Sequence, residues 1–205
     1  MVSGAAEPAE RRVIGLTGQR GCGKDTAAAA LVALGFRHIK FAAALKQMIR
    51  ALLDYAGASP EDINRMIEGD LKEAPSAGLG GATPRHAMQT LGLEWGREML
   101  HPDLWADAAM GRCARLGCHI VISDVRFPNE AAMIREGLGG EVWRIVRPGA
   151  GGDSHPTETE MRRIRADRTL RNDASTAIGF QRRVETLWRE DRGRRLGLPE
   201  ITPNS

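Results

Sequence analysis

The chain has few cysteines, few aromatic residues and no long apolar run. Among its 205 residues, 3 are cysteine and 4% are aromatic. Cys22, Cys113 and Cys118 form no C-x-x-C pair and cannot all pair with one another, so we expect reduced thiols. No apolar stretch approaches the roughly 18 residues that a membrane-spanning helix needs, and residues 1–10 lack the features of a signal peptide. A cytoplasmic protein with no membrane partner is therefore predicted.

The remaining composition is that of a globular protein. Hydrophobic residues make up 42% of the chain, charged residues 27%, and the formal net charge is +3. This length suits one α/β domain with a small inserted lid better than two full domains. We predict a disordered leader over residues 1–10 and a single domain over 11–205. The positive charge admits acidic partners such as nucleotides or nucleic acid.

A glycine-rich stretch near the start carries the strongest functional signal. It follows an apolar run at residues 12–17 and precedes an alanine-rich run at 27–34, which predicts a strand, a loop and a helix. Glycines let backbone N–H groups turn inward around an anion at the positive end of such a helix, and Lys24 adds a mobile cation. The spacing matches the phosphate-binding motif G-x-x-x-x-G-K; the alternative is a flexible turn with an incidental lysine. The predicted ATP-binding residues are Gly18, Arg20, Gly21, Cys22, Gly23, Lys24, Asp25 and Thr26.

Two positions of this loop admit more than one interpretation. Asp25 stands where a Ser or Thr hydroxyl usually reaches Mg²⁺, and the hydroxyl comes one residue later as Thr26. The resulting G-x-G-K-x-T pattern is typical of small nucleotide kinases. Cys22, at a helix N-terminus, could be a reactive thiol. We favour the simpler interpretation, in which it is a small residue that fills the loop.

Strands and helices alternate along the rest of the chain, which predicts a parallel sheet with right-handed crossovers. Further strands are predicted at 36–41, 118–123, 141–146 and 168–171. Helices are predicted at 42–55, 60–68, 85–100, 104–116, 131–136, 157–164 and 174–190, with a glycine-rich loop at 74–82. Asn172 is predicted to cap the last helix, and His38 is interpreted as a packing or surface residue.

Asp124 and Arg126 follow the most apolar predicted strand. Ligands of open parallel sheets bind at the carboxyl ends of the strands, so Asp124 is expected to face the glycine loop. Its carboxylate could hold Mg²⁺, directly or through water, or accept a proton, while Arg126 could neutralise charge on a transferred phosphoryl group. In the alternative interpretation Asp124 caps the turn and Arg126 pairs with Glu130. Lys24, Asp124 and Arg126 are the predicted catalytic residues, and Asp25 and Asp124 the predicted metal-site residues.

Two further segments combine residues suited to nucleotides. Arg85 and Gln89 are four residues apart on one helix face, and tryptophans follow. An arginine can grip a phosphate, a glutamine can read a base edge and a tryptophan can stack. An amphipathic helix with exposed arginines and buried tryptophans would show the same pattern. The second segment contains His155, Arg162, Arg163 and Arg165. These residues could form a lid that closes over ATP, or they could lie on a solvated helix face.

Taken together, these motifs resemble the deoxynucleoside monophosphate kinases of bacteriophages and bacterial genomes, which are P-loop nucleotide kinases. The resemblance rests on the Gly-Lys-Asp-Thr loop ending and on Asp124-Val125-Arg126-Phe127-Pro128-Asn129-Glu130. Four more segments support it: residues 41–46, 85–105, Ser154-His155 with Glu158, and 171–173.

The resemblance implies an adenylate-kinase-like fold and a reaction. The fold would be a three-layer α/β/α P-loop domain whose five parallel strands lie in the order 2-3-1-4-5, with an acceptor-binding helical region at 56–105 and a lid-like segment at 147–167. ATP and Mg²⁺ would serve as cofactors for phosphorylation of a nucleoside monophosphate. The acceptor-binding residues would be Lys46, Arg85, Gln89, Trp95, Arg97 and Trp105. The accepted base, the choice between ribose and deoxyribose, and a homodimer are left open.

Two rival functions follow from the same motifs. One is a P-loop kinase for another phosphorylated small molecule, such as dephospho-coenzyme A. The other is a P-loop ATPase that binds nucleic acid through the basic carboxyl-terminal third. Against the second, aromatic residues are absent from the basic runs apart from Trp188, and Glu185, Glu190 and Asp191 interrupt them. No stable nucleic-acid partner is therefore expected.

Overall fold

The computed structural model describes residues 11–150 and 156–195. The predicted leader and His155 lie outside this part of the chain. The described chain divides into two compact units. Unit 1 contains the residues up to Ile39 and those from Leu116 onward, and unit 2 contains Lys40–Arg115.

Unit 1 is built on a five-stranded sheet. Its strands are β1 (Val13–Thr17), β2 (Arg37–Ile39), β3 (Ile120–Ile122), β4 (Glu141–Val146) and β5 (Arg168–Arg171). All four pairings are parallel, and the order is β2-β3-β1-β4-β5, which confirms the predicted topology. The central strand β1 and its neighbour β3 are buried along their whole length, as expected for mainly apolar strands of a parallel sheet covered on both faces.

Helices cover both faces of this sheet. They are α1 (Lys24–Ala33), α6 (Pro128–Ala132) with a π-helical continuation (Met133–Gly137), α7 (Pro156–Arg163) and α8 (Ala177–Arg195). On one face Ile14, Leu16 and Trp143 form a core with α1 and α8. On the other face, a Cβ placed at Gly15 would lie 2.6 Å from the terminal Cδ1 of Ile134 and 3.1 Å from Val125, so glycine leaves room for these side chains to pack against the strand. The result is the expected three-layer arrangement.

An ionic network joins Arg12, directly before β1, and the first residues of β4 and β5 to α8. Arg12 and Arg168 each bind both Glu141 and Asp191. The pairs Arg12–Asp191 and Arg168–Glu141 have separations of 3.1 and 3.0 Å. The Arg12 guanidinium also lies 5.3 Å from the ring centroid of Trp188. Two guanidiniums are thus neutralised by two carboxylates at the edge of the core.

Unit 2 is helical. It consists of α2 (Ala43–Tyr55), α3 (Pro60–Glu68), short 3₁₀ turns (Asp70–Glu73 and Ala77–Leu79), α4 (Pro84–Thr90), a π-helical segment (Leu91–Leu100) and α5 (Leu104–Ala114). Its core contains Ile49, Leu53, Ile63 and Ile67 from α2 and α3. Helix α3 begins as predicted, with the Ser59 hydroxyl accepting the Asp62 N–H and proline at the first helical position.

Three helix predictions were wrong in detail. The helix predicted at 131–136 begins at Pro128 and is π-helical from Met133. The predicted α-helix at 85–100 becomes π-helical at Leu91, where the indole N–H of Trp105 donates to the Gly92 carbonyl at 2.8 Å. A Cβ placed at Gly96 would lie 2.5 Å from the Trp105 ring, so the glycine admits the indole. The last helix begins at Ala177 rather than 174, and Thr176, not Asn172, caps it by accepting the Gly179 N–H.

No helix in the described chain is long and apolar enough to cross a membrane.

Candidate functional site

The glycine loop connects β1 to α1 and is held closed by its own lysine. The Lys24 ammonium donates to the carbonyl oxygens of Gly18 and of Gln19, the latter at 2.8 Å. The Cys22 N–H donates to the Gln19 carbonyl at 3.2 Å. Gly21 and Gly23 have φ values of 78° and 108°, which side-chain-bearing residues rarely adopt. In a loop of this kind, backbone amides and the N-terminus of the following helix can bind an anion, and this role of the loop stays a prediction.

Cys22 is packed inside the loop. Its side chain is 1% exposed. Burial raises the pKa of the Cys22 thiol, and the nearby Lys24 only partly opposes this effect. A thiol that is buried and protonated is a poor nucleophile. The structure therefore supports the loop-filling interpretation of Cys22 over the reactive one.

Asp124 and Arg126 stand after the buried end of β3, as predicted. The half-buried Asp124 follows Ser123, and the Arg126 side chain is exposed. The buried Glu130 accepts hydrogen bonds from the backbone N–H groups of Arg126 and Phe127 at 2.7 and 3.1 Å. The Glu130 carboxylate thus holds the turn after β3 by binding the main chain of that turn. The sequence analysis did not assign this role. The catalytic roles of Asp124 and Arg126 stay predictions.

His38 has a more specific setting than the sequence suggested. It lies on β2, and its Nε2 is 2.7 Å from the Ser123 hydroxyl oxygen. Ser123 is 3% exposed and directly precedes Asp124. His38 is therefore linked through one hydrogen bond to the strand end that carries the predicted catalytic carboxylate.

A cavity of about 180 Å³ lies beside the glycine loop. Gly18 and Gln19 line it from the loop, and Arg147 and Arg162 line it from the segment predicted as a lid. Of the other lid candidates in the described chain, Arg163 pairs with Glu160 at 2.8 Å and Arg165 is exposed. Arg162 is thus the lid arginine whose position suits a ligand of the loop.

Arg144 also lines this cavity and anchors α7. Its guanidinium donates to the carbonyl oxygens of Met161, at 3.1 Å, and of Ile164. These carbonyls belong to the carboxyl end of α7, where a cation is favourable. The bond therefore fixes the helix that carries Arg162 to strand β4.

In unit 2, two predicted acceptor-binding cations are paired with carboxylates. The Lys46 ammonium lies 2.8 and 2.9 Å from the two carboxylate oxygens of Glu68, and Arg85 binds Glu73. Burial would raise the pKa of Glu68, but Lys46 and the neighbouring Lys72 and Lys40 lower it. Burial and the nearby Lys46 lower the pKa of Lys72. Lys40, Lys46, Lys72 and Arg85 thus form a cationic cluster. The sequence analysis did not include Lys40 and Lys72.

The remaining acceptor candidates differ in exposure. Gln89 is exposed on α4, on the same helix as Arg85. Trp95 is half-buried, and its ring centroid lies 6.1 Å from that of Trp105, which is 4% exposed. Arg97 donates to the Pro102 carbonyl at 2.8 Å. Trp105 is therefore part of the interior of unit 2, and the binding roles of all four residues stay predictions.

The residues around the loop fit ATP and Mg²⁺. A Cβ placed at Gly23 would lie 2.5 Å from the Asn172 side chain, so the cradle requires glycine there. The buried Thr17 hydroxyl, directly before the loop, has no hydrogen-bond partner in the described part of the chain. Within residues 11–150 and 156–195, no three His, Cys, Asp or Glu side chains group as a metal cage. Magnesium characteristically takes few protein ligands beside phosphates and water, and Thr26, Asp25 and Asp124 offer the oxygen ligands it prefers.

A parallel sheet in the order 2-3-1-4-5, with a glycine loop ending in Gly-Lys between its first strand and helix, defines a P-loop kinase. No protein-family model matches the chain. It is 39% identical over 170 residues to the mimivirus protein named "Putative deoxynucleotide monophosphate kinase" from Acanthamoeba polyphaga mimivirus, covering 75% of this chain and 84% of the relative. The chain therefore belongs to the deoxynucleotide monophosphate kinase family.

Solved structures with a similar fold are more distant. Shikimate kinase from Aquifex aeolicus is 15% identical, with a TM-score of 0.47 and coverage of 90% of this chain and 99% of that one. Dephospho-CoA kinase from Campylobacter jejuni is 18% identical, with a TM-score of 0.45 and coverage of 89% and 98%. TT1252 from Thermus thermophilus is 19% identical, with a TM-score of 0.46 and coverage of 87% and 97%. At this level the similarity indicates nothing about the substrate.

Proposed function

We propose that this kinase transfers the γ-phosphate of ATP to a deoxynucleoside 5′-monophosphate to give the diphosphate. The observation that carries the proposal is the closed glycine loop with Lys24 at its centre, in a chain of this family. The name of the mimivirus relative supports the acceptor class.

Each part of the loop has a defined role in this reaction. Lys24 exchanges its bonds to the Gly18 and Gln19 carbonyls for the β- and γ-phosphates, and the α1 N-terminus holds the same phosphates through its amides. Thr26, with Asp25 or Asp124 through water, would hold Mg²⁺, which would neutralise charge on the phosphates. Arg126 and Arg162 stabilise charge on the transferred group. Positioning and electrostatics suffice, so no covalent protein intermediate is needed.

Unit 2 supplies the acceptor's phosphate site through its cationic cluster. Lys46 and Arg85 are neutralised by Glu68 and Glu73, whose side chains are 51% and 65% exposed. Ion pairs this exposed are weak, so a phosphate dianion can replace the carboxylates at small cost. Lys72 lies near Lys46 and Arg85 and adds a third positive charge to this site. The cluster therefore favours a monophosphate over an uncharged acceptor.

A coupled assay of ADP release tests the proposal. The four deoxynucleoside monophosphates, their ribose counterparts, dephospho-coenzyme A and shikimate are supplied separately with ATP and Mg²⁺. We expect turnover with at least one deoxynucleotide and a lower kcat/KM for its ribose form. A Lys24→Met variant, purified in the same way, controls for contaminating kinases, because it lacks the loop cation. Turnover with dephospho-coenzyme A or shikimate alone, or with no acceptor, would refute the assignment.

A further inference from the structure

Asn172, the first residue after β5, reaches the nucleotide-binding loop from the opposite end of the chain. It is 5% exposed, and its side-chain nitrogen donates to the Cys22 carbonyl at 2.9 Å. A carbonyl oxygen can only accept, so the amide nitrogen of Asn172 must face it. The Asn172 backbone N–H donates to the Val146 carbonyl at 2.7 Å, which holds the residue at the end of β4. Both its main chain and its side chain are therefore fixed.

This hydrogen bond sets the direction of an adjacent amide. The Cys22 carbonyl and the Gly23 N–H belong to one peptide unit, and the described chain contains no cis peptide bonds. In a planar trans unit the C=O and N–H bonds point in opposite directions. The carbonyl points toward the interior, where Asn172 and the 1% exposed Phe180 adjoin Gly23. The Gly23 N–H therefore points away from the interior, toward the open side of the loop.

The covalent chain alone does not hold this orientation. Glycine adopts either sign of φ at low cost, so the peptide between Cys22 and Gly23 could rotate about Gly23. A buried carbonyl without a donor is costly and would favour such a rotation toward water. The rotation would turn the Gly23 N–H inward and remove it from the phosphate site. An interior donor is what prevents it.

We propose that Asn172 is a positioning residue of the nucleotide site, which holds the Cys22–Gly23 peptide so that the Gly23 N–H donates to a phosphate oxygen of the bound nucleotide. Asn172 itself does not touch the nucleotide. This role of Asn172 rests on the proposed binding of a nucleotide at the glycine loop and does not depend on which acceptor the kinase uses.

Calorimetric titration with ADP and Mg²⁺ tests this role without any acceptor. Asn172→Leu keeps the branched shape and adds no charge but removes the donor. Because one hydrogen bond to a charged phosphate is misdirected, we expect the Kd for ADP to rise about 10- to 100-fold. In amide NMR spectra, ADP should shift the Gly23 N–H resonance of the unmodified protein strongly, and this shift should be lost in the variant.

A control separates positioning from general loss of stability. Val184→Ala removes buried core volume from α8, where Val184 is 0% exposed in the same core as Cys22, and its aliphatic side chain forms no hydrogen bond to the loop. It should lower the melting temperature but leave the Kd for ADP within about two-fold. Should Asn172→Leu fail to fold, Asn172→Val, smaller and also without a donor, takes its place. An ADP Kd unchanged from the unmodified protein, or shifted no more than in Val184→Ala, would overturn the proposal.

Discussion

Replacing Asp191 by asparagine should destabilise unit 1 severely, because Asp191 supplies half of the negative charge in the ionic network. It binds Arg12 at 3.1 Å and also Arg168, and the three side chains are 6%, 11% and 26% exposed. The variant leaves two guanidiniums with one carboxylate, Glu141. Removing one partner of a buried ion pair costs about 3–5 kcal/mol, and the partial exposure of Arg168 favours the lower end, about 3 kcal/mol. For a chain of this length that corresponds to a fall in Tm of about 6–12 °C.

The effect should depend on pH in a defined direction. Burial would raise the pKa of Asp191, but the charges and hydrogen bonds of Arg168 and Arg12 outweigh it and lower the pKa. A carboxylate with a lowered pKa in the folded state stabilises the fold above its unfolded-state pKa of about 3.9 and loses this contribution as the pH falls through the folded-state value. The difference in Tm between the protein and Asp191→Asn should therefore be constant from about pH 7 to 5 and shrink below about pH 4.

Asp173→Asn is a matched control. Asp173 also pairs with two arginines, Arg171 at 3.3 Å and Arg183 at 2.8 Å, but the three side chains are 47%, 66% and 54% exposed. Exposed pairs contribute at most about 1 kcal/mol, so the fall in Tm should stay below about 4 °C. Both variants are compared by calorimetric and circular-dichroism melting. If Asp191→Asn lowers Tm no more than Asp173→Asn does, burial does not set the strength of this network and the reasoning fails.

Two further predictions concern function. Arg162→Met should raise the KM for ATP about 5- to 20-fold in the coupled assay, because Arg162 lines the cavity at the glycine loop. Arg163→Met removes only the pair with Glu160 and should not raise this KM. Equal effects of the two variants would contradict the assignment of Arg162. Glu68→Gln should lower the KM for the acceptor about two- to five-fold, because it frees Lys46 from its ion pair. Glu61→Gln neutralises an acid elsewhere on α3 and should change this KM less. A raised KM in Glu68→Gln would show instead that Glu68 helps to bind the acceptor.

Local sequence was enough to predict the elements and the nucleotide loop. The loop is closed by its own backbone and one side chain, Lys24, so a contiguous motif contains the information that specifies its conformation. The buried strands and the Ser59 helix start follow from apolar runs and capping chemistry in the same way. The strand order was expected from a resemblance to a family, and the sheet confirms it.

Tertiary contacts decided the points where the predictions were wrong or incomplete. The π-helical segment at Leu91–Leu100 depends on Trp105 of the next helix, which takes the Gly92 carbonyl as its acceptor. Asparagine is a residue type that often caps helices, but the Asn172 side chain donates instead to the buried Cys22 carbonyl of the glycine loop. A polar side chain takes the partner that burial would otherwise leave unsatisfied, and that partner is known only once the chain has folded.

The sequence by itself predicted a phosphate-binding loop at residues 18–26, because glycine conformations and a single lysine define such a loop within one short segment. Only the tertiary structure decided which distant residues would support it. Asn172 meets Cys22 across 150 positions, and the network of Arg12 and Asp191 spans 179. Such pairings depend on how the strands are ordered in the sheet, and side-chain chemistry read along the chain does not contain that order.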